Sequence, residues 1–270
     1  MRLWAFAILV LFGSAFLGAS TAHSGGKAGG PIKIEYHGQS FYILTTSKGT
    51  RVAFDPHTIP AYHPDGIVNQ HPADIVCMSH NHPDHTRMEA IKIEKGKKPT
   101  ILRGLKTPGN RADWNIFQKT IGELKFKTVG VYHDDSEGLA RGKVAVFVVE
   151  VDGWRIAHLG DLGHLLTPSQ LKRIGPVDVV MIPVGGIYTL NGAEAKKVVA
   201  QLKPKEYVFP MHFGTKVFED VLPVDEFYED VEKRRIAVLD ENVIKLNRDP
   251  QRPRPLIVQL HYWAKEKKEK

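Results

Sequence analysis

Cysteine is almost missing from this chain. Cys77 is the only one in 270 residues, so no intramolecular disulfide forms and metals that require several thiolates are excluded. Cys77 lies in an apolar run, where it is expected to be buried as a small hydrophobe rather than to react. No Gly-x-Ser-x-Gly occurs, and no base stands beside Cys77 in the sequence, so neither a serine nor a cysteine nucleophile is indicated. There is no nucleic-acid motif, no repeat with a period of 20–50 residues, and no break in composition that would divide the chain into two domains. Leu3 to Leu17 is the longest apolar stretch, interrupted by Gly13 and Ser14, and it falls short of the roughly 20 residues of a membrane-spanning helix.

That stretch reads as an export signal. Arg2 supplies the positive start, and Ser20-Thr21-Ala22 supplies small residues for a peptidase. Cleavage near Ala22 is expected, giving a periplasmic or secreted protein with no stable membrane span. Residues 23–30, His-Ser-Gly-Gly-Lys-Ala-Gly-Gly, read as a flexible linker, residues 31–262 as one domain, and 263–270 as a solvated tail of mixed charge. The composition is 42% hydrophobic and 25% charged, ordinary for a globular protein. A net charge of +7 permits an anionic small-molecule substrate without identifying one. Nothing in the sequence indicates an oligomeric state.

Ile32–Tyr36 alternates as a half-buried strand, followed by Phe41–Thr45 and Arg51–Phe54, a pattern that predicts an antiparallel start. Ala73–Ser79 reads as a buried strand, Thr86–Lys95 as a short helix, and the stretch around Ile101, Leu105, Trp114 and Ile116 as loop-rich. Leu124–Val131 and Val144–Val151 are strands. Asp152-Gly153 is a hairpin signal returning into Trp154–Leu159. Helices are expected at Thr167–Ile174, Ala193–Leu202 and Val224–Arg235, and strands at Asp178–Val184, Tyr207–Pro210 and Leu256–His261. Strand and helix alternate in this second half, as in a layered α/β domain.

Ligand-type residues follow the strands. His80-Asn81-His82-Pro83-Asp84-His85 places four metal-binding groups within six positions just after an apolar strand. Imidazoles and carboxylates suit zinc and similar divalent ions. In extended backbone, His80 and His82 face the same way, and Pro83 turns the chain so that Asp84 and His85 face a neighbouring point. His133, Asp161 and His212 also stand at or just past strand ends, so these segments are expected to converge at one sheet edge.

His-x-His-x-Asp-His resembles the signature of the metallo-β-lactamase superfamily of hydrolases. From about residue 31 to 262 the chain is similar to its predicted metal-dependent hydrolases, including the L-ascorbate-6-phosphate lactonase-like group. The resemblance implies an α/β fold, an αββα sandwich of two mixed β-sheets flanked by helices. It also implies two metal ions, zinc first and manganese or iron as alternatives. His80, His82 and His133 would hold one ion, Asp84, His85 and His212 the other, and Asp161 would bridge. Asp55, in Phe54-Asp55-Pro56, matches the superfamily's first aspartate and is expected to orient a ligand. His37 matches an early histidine motif, although its order here is His37-Gly38-Gln39-Ser40. His158, His164 and Tyr188 are further candidates for contacts to ligands or substrate, with Gly185-Gly186 beside Tyr188. Phe213 stands where related sequences often carry Tyr.

The expected chemistry is hydrolysis. A water shared by two ions would be deprotonated near neutral pH and attack an ester, lactone, amide or phosphodiester, with Asp84 as the catalytic proton acceptor. An iron-dependent oxidoreductase of the same fold and a non-catalytic metal-binding protein are the competing readings.

Overall fold

The computed structural model describes residues 31–63, 66–94, 96–106 and 112–262. The expected leader, linker and charged tail lie outside the described residues. β1 (Lys33–Tyr36) turns Ile34 and Tyr36 inward, as its alternation requires. β2 (Tyr42–Thr45) and β3 (Arg51–Phe54) pair with it in antiparallel succession. After the two-residue β4 (His71–Pro72) comes β5 (Ile75–Met78), buried throughout and parallel to β3. It is the strand expected before the histidine motif, and Cys77 within it is a buried free thiol.

Residues 86–94 are not a helix. Met88–Ala90 makes a single 3-10 turn, and Ile91–Lys92 (β6) pairs with β4. The apolar side chains Met88, Ala90 and Ile91 pack on Phe41, Ile43, Val76 and Met78, and that tertiary contact overrides local helix preference. The loop expected around Ile101 is likewise a strand: Thr100–Arg103 (β7) extends the first sheet beside β5. Its side chains Thr100, Ile101 and Arg103 are exposed, so burial left no alternation to read.

The second half builds a larger sheet. β8 (Gln118–Ile121), β9 (Leu124–Tyr132), β10 (Lys143–Val151) and β11 (Trp154–His158) form an antiparallel meander. The last turn holds Asp152 at φ 51° and Gly153 at φ 76°, the two left-handed residues that a tight hairpin demands. α1 (Pro168–Ile174) starts at Thr167, whose side chain and that of Gln170 form a reciprocal capping box. β12 (Val179–Pro183), α2 (Gly192–Leu202) and β13 (Tyr207–Met211) follow, with β11, β12 and β13 mutually parallel. The helix expected over 224–235 is only one turn, α3 (Asp225–Tyr228). Asp230 takes φ 62°, outside helical backbone, and breaks it. β14 (Ile236–Val238), β15 (Val243–Lys245) and β16 (Leu256–Gln259) complete the chain.

One sheet has six strands in the order β15-β1-β2-β3-β5-β7, and the other eight, β14-β16-β13-β12-β11-β10-β9-β8. A single cluster joins them: Ile34, Tyr42, Val52 and Phe54 from the first meet Val146, Phe147, Ile156 and Phe209 from the second. The αββα architecture expected from the sequence is the one observed. Direction then decides where a site can form. β9 and β11 both run antiparallel to β10, so β9 points the same way as β11, β12 and β13. Their C-terminal ends emerge along one edge, and β3 and β5 likewise emerge together. Among the described residues no helix is long and apolar enough to cross a membrane.

Candidate metal centre

Each candidate ligand stands just past one of these strand ends. His80 follows β5 at two residues' distance. His82 is extended at φ −67°, ψ 150° and leads into the 3-10 turn Pro83–His85, which carries Asp84 and His85 round. His133 follows β9 directly, Asp161 comes three residues after β11, and His212 directly follows β13. Two glycines allow the close approach. A Cβ on Gly163 would lie 2.3 Å from the carbonyl oxygen of His133, and one on Gly185 would lie 2.2 Å from that of His212. Asp55 and His212 hold left-handed backbone, φ 48° and 50°, a strain that persists where surrounding contacts fix it.

All seven sequence-derived candidates come together. One set, His80, His82 and His133, and a second, Asp84, His85, Asp161 and His212, each place their donor atoms within 4.8 Å of one another. Asp161 touches both. Its Oδ2 lies 3.1 Å from His85 Nε2, 3.3 Å from His133 Nε2, 3.3 Å from His212 Nε2 and 3.9 Å from His80 Nε2.

The opposite ring nitrogens are tied down. His85 Nδ1 lies 3.0 Å from Asp55 Oδ2, and His133 Nδ1 3.0 Å from the Tyr188 carbonyl. His80 Nδ1 lies 2.9 Å from Ser79 Oγ, which itself donates to Asp55 Oδ2 at 2.6 Å. A hydroxyl that gives its one proton to a carboxylate must accept from the imidazole. His80 therefore carries its proton on Nδ1 and presents a lone pair at Nε2. His80 Nε2 is buried with no hydrogen-bond partner, and His85 Nε2 is buried with the Asp84 and Asp161 carboxylates 3.3 and 3.1 Å away. Buried polar nitrogens left open toward a shared point, their rings oriented from behind, are what a metal site requires. The donor set fits divalent cations.

The electrostatics agree. Burial pushes the His80 imidazole far below its ordinary pKa, and the neighbouring His85 adds to this, so the ring is neutral. Burial would also neutralise Asp161, but His212 and His85 hold its carboxyl well below the usual range. Burial opposes charge on His85 as well, yet Asp161, Asp84 and Asp55 raise it well above 6.5. His212 is raised by Asp161 against the same burial. In the metal-free chain, protonated histidines thus supply the positive charge that balances the carboxylates.

The other candidates divide. Asp55 does orient ligands, as expected, accepting from Ser79 N at 2.6 Å as well. His158 is 1% exposed, lies face to face with Phe54, and spends both nitrogens on backbone: Nε2 on the Ser40 carbonyl and Nδ1 on Gly160 N–H. It braces the loop that carries Asp161 and has no atom left for substrate. His164 is similarly occupied, accepting from Tyr132 N at Nε2 and lying 2.8 Å from the Leu165 carbonyl at Nδ1. Tyr188 contributes its carbonyl to His133, while its ring is 46% exposed beside Arg141. Phe213 is buried against Tyr36. His37 belongs elsewhere, with His63 and His71. Sequence reasoning missed Ser79 and Ser40, whose hydroxyl donates to Asp161 Oδ1 at 3.2 Å. A serine between a buried strand and a ligand histidine was a usable signal for Ser79, whereas Ser40 carried none.

Comparison with known proteins agrees with this geometry. The beta-lactamase superfamily domain matches residues 33–212. A UPF0173 metal-dependent hydrolase of Methanoregula boonei is 33% identical over 199 residues, covering 68% of this chain and 83% of its own. One from Thermococcus onnurineus is 29% identical over 199 residues, covering 68% and 85%. A crystal structure from Thermotoga maritima, described as a proposed Zn-dependent hydrolase of the metallo-beta-lactamase superfamily, superposes with a TM-score of 0.61 at 30% identity, covering 85% of this chain and 99% of that one. With its strand-end histidines gathered around Asp161, the chain belongs to the beta-lactamase superfamily, among its metal-dependent hydrolases.

Proposed function

We propose that this chain hydrolyses an ester, lactone, amide or phosphodiester at a pair of divalent ions, with zinc favoured over manganese and iron. His80, His82 and His133 would hold one ion, Asp84, His85 and His212 the other, and Asp161 both. The observation that carries this reading is Asp161 Oδ2, which has the Nε2 atoms of four histidines from both sets 3.1–3.9 Å away. Ions bound there would acidify a water and stabilise negative charge developing at the reacting centre.

The chain's own groups divide the remaining work. The Asp161 side chain is 2% exposed and the Asp84 side chain 36% exposed, so Asp84 is the carboxylate that meets solvent. Its carboxyl is held below the usual range by the His85 charge despite partial burial, which keeps it ionised. Asp55, Ser79 and the Tyr188 carbonyl fix the ligand rings. Arg141 lies over the Tyr188 ring at 5.6 Å and donates to the Ile187 carbonyl, placing positive charge beside the His133 loop where an anionic substrate group would bind.

The test is a screen of zinc- and manganese-reconstituted protein against lactones, esters, amides and phosphodiesters. Turnover of at least one class, abolished by chelation and restored by metal, is expected. Full metal occupancy without turnover would make the chain a metal-binding protein, and iron-dependent oxygen consumption would make it an oxidoreductase.

A further inference from the structure

Three histidines meet outside the Asp161 centre and share no residue with it. His37 directly follows β1, His63 closes the 3-10 turn Pro60–Tyr62, and His71 opens β4. One donor atom of each lies within 4.8 Å of the others. His37 and His63 are stacked at 5.9 Å between centroids with 29° between planes, and His71 is set at an angle to both. His37 and His71 are 4.1 Å apart between centroids and tilted by 50°, and His63 and His71 are 5.4 Å apart and edge-on at 63°. Such an arrangement lets nitrogens from different rings approach a common point.

The group also leaves polar atoms unexplained. His37 is 5% exposed and its Nε2 has no hydrogen-bond partner, and His71 Nε2 is likewise buried and unpartnered. An orphaned buried nitrogen is destabilising, and two in one cluster call for a shared partner. Glu35 Oε2 stands 3.8 Å from His37 Nε2, too far for a hydrogen bond. Glu35 is not among the donors that lie within 4.8 Å of one another here, so the three imidazoles are the donors the cluster itself supplies.

The surroundings support ligation. His63 Nε2 lies 3.1 Å from the His37 carbonyl, and His57 Nε2 lies 3.1 Å from the same oxygen and 3.1 Å from that of Gly38, bracing the loop that carries His37. Burial lowers all three imidazoles, taking His71 to about 4, so they are neutral with lone pairs available at physiological pH.

We propose that His37, His63 and His71 form a separate site for a borderline divalent cation such as zinc. Three imidazoles leave the fourth position of a tetrahedral shell to water. The site would fasten β1, the turn Pro60–Tyr62 and β4 to one another.

The experiment uses Co²⁺ as the probe on full-length Asp161→Ala protein, in which the main centre is disabled. One equivalent of Co²⁺ with the visible absorption of four-coordinate cobalt is expected. His71→Ala or His63→Gln added to this background should abolish it. No bound cobalt in Asp161→Ala, or cobalt binding unaffected by both second substitutions, would overturn the proposal. Because Asp161→Ala can fail to fold, zinc-edge anomalous diffraction from crystals of the unaltered chain grown with zinc serves as the second measurement. A peak between the three rings is expected, and its absence under saturating zinc would also overturn the site. Neither readout depends on occupancy or turnover at the Asp161 centre.

Discussion

Asp55 Oδ2 lies 3.0 Å from His85 Nδ1, joining the end of β3 to a metal-ligand candidate thirty residues further along. The same carboxylate accepts from both the backbone and the hydroxyl of Ser79, which orients His80. One buried side chain thus sets the tautomer of a histidine in each ligand set. Asp55→Ala is expected to weaken metal binding by about 10–100-fold, the usual effect of losing such support. Competition with a chromophoric chelator measures it, and unchanged affinity would mean that Asp55 only shapes its turn.

The two central carboxylates have separable roles. Asp161→Ala should release metal from both sets, because its Oδ2 faces histidines of each. Asp84→Asn keeps the size and an oxygen ligand but removes the charge. It should fold, retain the ion at His80, His82 and His133, and turn over about 10²–10⁴-fold more slowly. Metal content and rate must come from the same sample. Near-normal turnover in metal-loaded Asp84→Asn would remove Asp84 from the chemistry.

Metal binding should release protons. His85 and His212 are raised above their ordinary pKa in the metal-free chain, chiefly by Asp161 acting against burial. A proton held on either ring is one that an incoming cation must displace. The sign follows: raising the pH weakens proton competition and tightens metal binding, whereas lowering it loosens the metal. Calorimetry of zinc binding in buffers of different ionisation enthalpy should show net proton release. A heat independent of the buffer would contradict it.

Export is proposed from Arg2, the apolar stretch and Ser20-Thr21-Ala22. In a bacterial host, mass spectrometry should find the mature chain beginning just after Ala22, outside the cytoplasm. Full-length protein retained in a membrane fraction would instead mean an uncleaved anchor.

The strands that carry the ligands were legible because each is a short apolar run ending in a polar loop, as at β5, β9, β11 and β13. The hairpin at Asp152-Gly153 and the helix beginning at Thr167 were legible for the same local reason. What escaped was decided at a distance. The segment 86–95 reads as helical until Ile91 is seen to pack on Val76 and Met78. β7 and β8 have largely exposed side chains, so pairing rather than burial places them. His133 was placed by its position after a strand together with the resemblance, since an isolated histidine in a polar loop looks the same whether or not it faces Asp161. His37, His63 and His71 are too far apart in sequence for spacing to unite them.

The Asp161 centre draws His80–His85 from the six-stranded sheet and His133, Asp161 and His212 from the eight-stranded one. A cation held there rivets the two halves of the sandwich along a single seam. Chelation should therefore loosen the molecule from that seam inward, with faster amide exchange at the ends of β5 and β13 than at their buried starts. It also constrains divergence. A shift of either sheet would part the rivet, so changes of substrate have to be made in the loops beyond the strands.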